Sequence, residues 1–113
     1  MSTPAPRSRK EHILELLRAN RLEEAKVLCE EVASTENNAG AWYLLGVVQG
    51  RLGNFVEAEQ CSRTAVRVRP DYVDAHVNLG IALRMQGKLS DAIMSLREAV
   101  RLEPHYIEAH YHL

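Results

Sequence analysis

The sequence is poor in aromatic residues, with one tryptophan, one phenylalanine and four tyrosines among 113 positions. It has two cysteines, Cys29 and Cys61, too few for a disulfide scaffold. No stretch approaches the roughly 18 consecutive apolar residues that a membrane-crossing helix requires, so no membrane span is expected. Neither sign of charge is in excess: 14 basic side chains face 15 acidic ones, for a net charge of -1. Phosphate binding normally needs a basic excess on one face, which sets nucleic-acid binding aside. Arg7, Arg9 and Lys10 have no apolar stretch behind them, so the N-terminus does not read as a signal peptide, and a cytoplasmic location is expected. There is no phosphate loop, serine elbow or cysteine–histidine pair at a useful spacing. The chain reads as a non-enzyme with no catalytic residue, no cofactor and no metal.

What remains is an ordinary globular composition, 46% apolar and 26% charged. A chain of this size buries roughly two-thirds of the surface its unfolded form exposes. Residues 1–10 hold two prolines and cannot form an apolar face, so they read as a disordered tail. Residues 11–113 read as one helical domain.

That domain is organised by a 34-residue repeat. Residues 39–72 and 73–106 align without a gap, and the same residue recurs at eleven places. Ala41, Leu45, Gly46, Gly53 and Ala58 match Ala75, Leu79, Gly80, Gly87 and Ala92. Arg63, Ala65, Val66, Arg67, Pro70 and Tyr72 match Arg97, Ala99, Val100, Arg101, Pro104 and Tyr106. Apolar residues fall at i, i+3, i+4 and i+7, interrupted once at Gly87, so each window predicts two helices. Pro104 ends the second helix, and Asp71, followed by Asp74, reads as the N-cap of the helix after Pro70. Gly80 and Ala92 are small enough to let the paired backbones approach closely. Residues 11–38 form a divergent copy, in which Asn20, Leu22 and Ala25 match Gly53, Phe55 and Ala58, and Asn37-Asn38 replaces the proline. Residues 107–113 begin a further copy or a cap.

Trp42-x2-Leu45-Gly46, followed by Gly53, Phe55, Ala58, Ala65 and Pro70, and the second window's Leu79-Gly80, Gly87, Leu89, Ala92, Leu96, Ala99 and Pro104 resemble the tetratricopeptide repeat family. The windows are similar to repeats of the O-linked N-acetylglucosamine transferase type. The resemblance implies an all-α, right-handed α-solenoid of stacked antiparallel helix pairs, with about three repeats and a short terminal helix. It also implies that first helices line a concave groove for a peptide or a partner helix. On that basis the contact residues are Tyr43, Leu44, Val47, Arg51, Val77, Asn78, Ile81, Arg84 and Tyr111. Tyr43, Val47, Val77, Ile81 and Tyr111 are expected to form an exposed apolar stripe. The clamp with which some members hold a peptide's terminal carboxylate is not expected, because Tyr43, Val47 and Glu108 stand where it needs Lys, Asn and Lys.

Other residues read as structural. His110 and His112 point about 200° apart on a helix and cannot share a metal. Cys29 and Cys61 read as small buried residues. Arg63, Arg67, Arg97 and Arg101 read as a solvated face paired with Glu57, Glu59, Glu98 and Glu103. Gly50 softens the end of its helix. The expected function is a non-catalytic protein–protein interaction module. The alternatives are the substrate-recruiting N-terminal part of a larger transferase, or a scaffold that self-assembles as a homo-oligomer through its C-terminal face.

Overall fold

The computed structural model describes residues 8–113. Most of the expected tail lies outside them, but the first helix already starts at Arg9, inside the span read as tail. Ser8 fixes that start: its hydroxyl accepts the Glu11 backbone N–H at 3.1 Å, satisfying a donor that the helix leaves open.

Helix α1 (Arg9–Arg18) pairs with α2 (Leu22–Glu36), α3 (Ala39–Arg51) with α4 (Phe55–Val68), and α5 (Val73–Met85) with α6 (Leu89–Leu102). Helix α7 (Ile107–His112) closes the described residues. The three turns within pairs need a left-handed residue, supplied by Asn20 (φ 58°), Gly53 (φ 83°) and Gly87 (φ 80°). That requirement explains why Asn20 occupies the glycine position in the divergent repeat, since asparagine tolerates this conformation better than most residues.

The turns between pairs use two different solutions. Arg69 and Glu103 precede prolines and are extended (φ -138° and -142°), the conformation that a following proline favours, so α4 and α6 stop there. In the first repeat Asn37 takes the left-handed conformation (φ 46°), and the Asn38 side chain caps α3 by accepting the Ala41 N–H at 2.8 Å. The expectation for Asp71 is not met. Tyr72 occupies the N-cap of α5 with no side-chain cap bond, while the Asp71 carboxylate lies 3.6 Å from the Arg69 guanidinium. The turn after Pro70, closed by the Tyr72 N–H to the Arg69 carbonyl at 3.1 Å, delays the helix by two residues.

Each helix packs on its neighbour in sequence, and α3 also touches α5, which touches α7. The result is an elongated α-solenoid, 55 × 27 × 24 Å, whose core runs as a strip along the stack. Ile13, Leu17, Cys29, Val32, Leu45 and Val48 fill its first part, and Leu79, Leu83 and Ala92 lie further along. Gly80 makes the closest inter-helix approach: a Cβ there would lie 2.7 Å from Leu96 Cγ and 3.2 Å from the Ala92 carbonyl oxygen. The pairing of small residues expected from the sequence is therefore a steric requirement of the stack.

Candidate partner-binding groove

The first helices α3, α5 and α7 share one face of the stack, because each touches the next. Between α3 and α5 this face opens into a cavity of about 210 Å³. Val47, Gly50 and Arg51 from α3 line it, with Phe55 from α4 and Asn78 and Ile81 from α5. Val47, Asn78 and Ile81 are half-buried and Arg51 is exposed. Gly50 keeps the mouth open, since a Cβ added there would meet no atom within 4 Å.

Four expected groove residues, Val47, Arg51, Asn78 and Ile81, thus meet in one place. Tyr43 is half-buried above them, its ring edge-on to Tyr72 with centroids 5.2 Å apart. The Arg69 guanidinium covers Tyr72 at 4.8 Å. Burial pushes the Tyr43 hydroxyl up to about 12, and the charges of Asp74, Tyr72 and Glu108 push the same way. Arg84 is exposed at the C-terminal end of α5 and makes no ion pair among the described residues.

Two residues of the expected exposed stripe are core instead. Val77 is only 1% exposed, because α7 docks on α5 and brings Ala109 against it, with Leu96 and Ala99 behind. Leu44 is buried in the cluster built from α1, α2 and α3. Tyr111, at 82% exposure, stands out from α7 with only the His112 ring beside it, so the stripe is not continuous. Ile107 and Leu113 are exposed with it at this end of the chain.

At the N-terminal ends of the same helices, carboxylates gather around a tyrosine. The Tyr106 hydroxyl donates to Asp74 Oδ1 and lies 3.5 Å from Glu108 Oε2. Burial raises the pKa of Asp74, and the neighbouring Glu108 and Glu103 charges add to the shift.

No reactive group accompanies this groove. Cys29 and Cys61 are buried, and desolvation raises their thiols to about 12 and about 11, so both stay protonated at neutral pH. Among the described residues no group of three or more His, Cys, Asp or Glu is placed to hold a metal. No helix is long and apolar enough to cross a membrane. On the second helices, Arg63 pairs with Glu59 and Arg101 with Glu98, whereas Arg67 and Arg97 are exposed without such a pair.

Two arrangements were not anticipated from the sequence. One is a ring N–H donor that recurs every 34 residues. Trp42 Nε1 donates to Asn37 Oδ1 at 3.0 Å, His76 Nε2 to the Pro70 carbonyl at 2.8 Å, and His110 Nε2 to the Pro104 carbonyl at 2.6 Å. The 34-residue spacing of the three rings was its only trace. The other is a polar tie between repeats. Glu59 accepts from Arg63 on its own helix at 2.9 Å, and from Gln86 and Lys88 of the next repeat at 2.9 and 3.0 Å.

The tetratricopeptide repeat family matches residues 43–107. No curated protein matches the chain. Among solved structures, the first tetratricopeptide domain of Spaghetti (RPAP3), bound to the HSP90 peptide SRMEEVD, superimposes with a TM-score of 0.88 at 23% identity. That likeness covers 91% of this chain and 82% of that one. The second such domain of human RPAP3, in complex with the HSP70 peptide SGPTIEEVD, gives 0.87 at 22% identity, over 94% of this chain and 89% of that one. An O-GlcNAc transferase from Thermobaculum terrenum gives 0.83 at 33% identity, over 88% of this chain but only 19% of that one. With a family match over more than half its length and paired helices stacked as that repeat requires, the chain belongs to the tetratricopeptide repeat family.

Proposed function

We propose that this chain is a non-catalytic interaction module that holds a peptide or partner helix on the face formed by α3, α5 and α7. The observation that carries the reading is the cavity that brings Val47, Arg51, Asn78 and Ile81 together. An apolar floor with a few convergent polar groups is the usual make-up of a binding site. Two of the similar structures, the RPAP3 domains, are bound to chaperone peptides. Their route to a peptide's end is not carried over, because Tyr43, Val47 and Glu108 occupy the places where a carboxylate clamp uses Lys, Asn and Lys. Capture from source lysate tests the reading, with the chain compared against a Val47→Asp/Ile81→Asp variant whose helicity and melting are checked. A partner held by the original and lost from the folded variant supports it. Equal capture by both moves the function off this face.

A second reading is favoured by the 33% identity to the transferase repeats over 88% of this chain. In it, these repeats recruit substrates for a transferase domain elsewhere in a longer protein. The intact mass of the protein from its source separates the two: 12.8 kDa removes the transferase reading, and a larger mass supports it.

A further inference from the structure

The two edges of the first-helix face carry opposite charge. Arg18, Arg51 and Arg84 stand in the last turns of α1, α3 and α5, each 33 residues after the one before. All three are exposed, and none makes an ion pair among the described residues. Arg51 reaches only the Leu17 carbonyl, at 3.4 Å. The helix dipole favours a cation at each of these ends. It does not satisfy the forked donors of a guanidinium, which match a carboxylate.

The opposite edge is acidic. Asp74 and Glu108 lie in the first turns of α5 and α7 and converge on the Tyr106 hydroxyl. Neither carboxylate has a Lys or Arg partner among the described residues. The apolar cavity with Val47 and Ile81 lies between the edges.

Asp74 and Arg84 are ten residues apart on α5, about 15 Å along the axis at ~1.5 Å per residue. An α-helix with its side chains is roughly 10–12 Å across. A single extended strand takes up only about 5 Å in that direction, judged from the spacing of strands in sheets. The geometry points to an amphipathic helix as the occupant, laid across α3 and α5. Its apolar stripe rests on Val47 and Ile81, its carboxylates face Arg51 and Arg84, and its cations face Asp74 and Glu108. This assignment rests on the partner-binding reading above and adds the shape and charge order of the partner.

The test uses three synthetic helices of about 20 residues, long enough to be helical in an alanine-rich background. They share one leucine stripe and differ at the edges: Glu on one side and Lys on the other, Glu on both, or Lys on both. Binding to the full chain is read by fluorescence anisotropy. The mixed-edge helix is expected to bind about tenfold tighter than either single-sign helix, with the gap shrinking in salt. An Arg51→Glu/Arg84→Glu variant, or Arg84→Glu alone, is expected to shift the preference to the Lys-edged helix. Equal binding of all three, weakened alike by Ile81→Asp, overturns the charge order and leaves the groove reading standing. Failure of all three to bind overturns the helical occupant, while partner capture sensitive to the cavity variant would still support the groove.

Discussion

His76 ties α5 to the turn that precedes it: its Nε2–H donates to the Pro70 carbonyl at 2.8 Å. The imidazole itself is buried, at 8% exposure, so the bond works in partly desolvated surroundings. His110 repeats the tie to Pro104 one period later, and Trp42 performs it with an indole N–H on Asn37. A proline turn has no N–H at the proline, so a ring donor reaching back across six residues fixes an angle that the backbone alone leaves loose.

Replacing His76 with leucine keeps the apolar volume but leaves the Pro70 carbonyl without its donor. The expected cost is about 1 kcal/mol, read as a lower urea midpoint with an unchanged slope. His110→Leu should cost less, because His110 is exposed on a six-residue helix. Equal losses at the two positions would mean that packing, and not the latch, carries the effect.

Glu59 predicts the acid response. The Arg63 hydrogen bond, helped by Lys88 and Gln86 against the penalty of burial, holds its carboxyl down to about 2, from an ordinary 4.5. A carboxyl whose folded pKa is depressed contributes stability above its unfolded pKa and loses it as pH falls toward the folded value. The Glu59 contribution should therefore be complete above about pH 4.5 and drain away between 4.5 and 2. Glu59→Gln should lower stability at neutral pH and flatten its pH dependence within that window. A parallel downward shift at every pH would rule out the charge as the source.

Burial of the two thiols predicts chemical silence. Cys29 and Cys61 should resist an aromatic disulfide reagent at pH 8 in the folded chain and react once it is unfolded in guanidinium, because the thiolate is the reactive form. Rapid modification of either in the native state would point to local opening of the α2 or α4 contacts.

The sequence carried the helix pairing because each pair is built from local spacing and small residues such as Gly80 and Ala92, both of which are visible in a single chain. It carried part of the groove: Val47, Asn78 and Ile81 line one cavity. It failed at Val77 and Leu44 because a repeat position says which way a side chain leaves its own helix, and not whether another helix covers it. Ala109 covers Val77, and α1 with α2 encloses Leu44. Asp71 failed for a related reason. Its side chain could have capped α5, but the proline turn placed it beside Arg69 instead. The tie at Glu59 joins residues 27 and 29 positions apart, a distance that no local pattern reports.

The glycines give opposite predictions for one substitution. Alanine is favoured over glycine by up to about 1 kcal/mol within a helix, so Gly→Ala stabilises wherever the new methyl fits. At Gly50 nothing lies within 4 Å, and Gly50→Ala should raise the melting temperature. At Gly80 the methyl would press on Leu96 Cγ at 2.7 Å and on the Ala92 carbonyl oxygen. Leu96 is 1% exposed and has nowhere to move, so overpacking of about 1–3 kcal/mol should outweigh the helix gain. Gly80→Ala should therefore lower the melting temperature. The same pair separates stability from binding. Gly50 borders the cavity and Gly80 does not line it, so Gly50→Ala should weaken partner binding while strengthening the fold. Unchanged partner affinity in the more stable Gly50→Ala chain would mean that the ligand rests elsewhere on the face and that Gly50 serves only the end of α3.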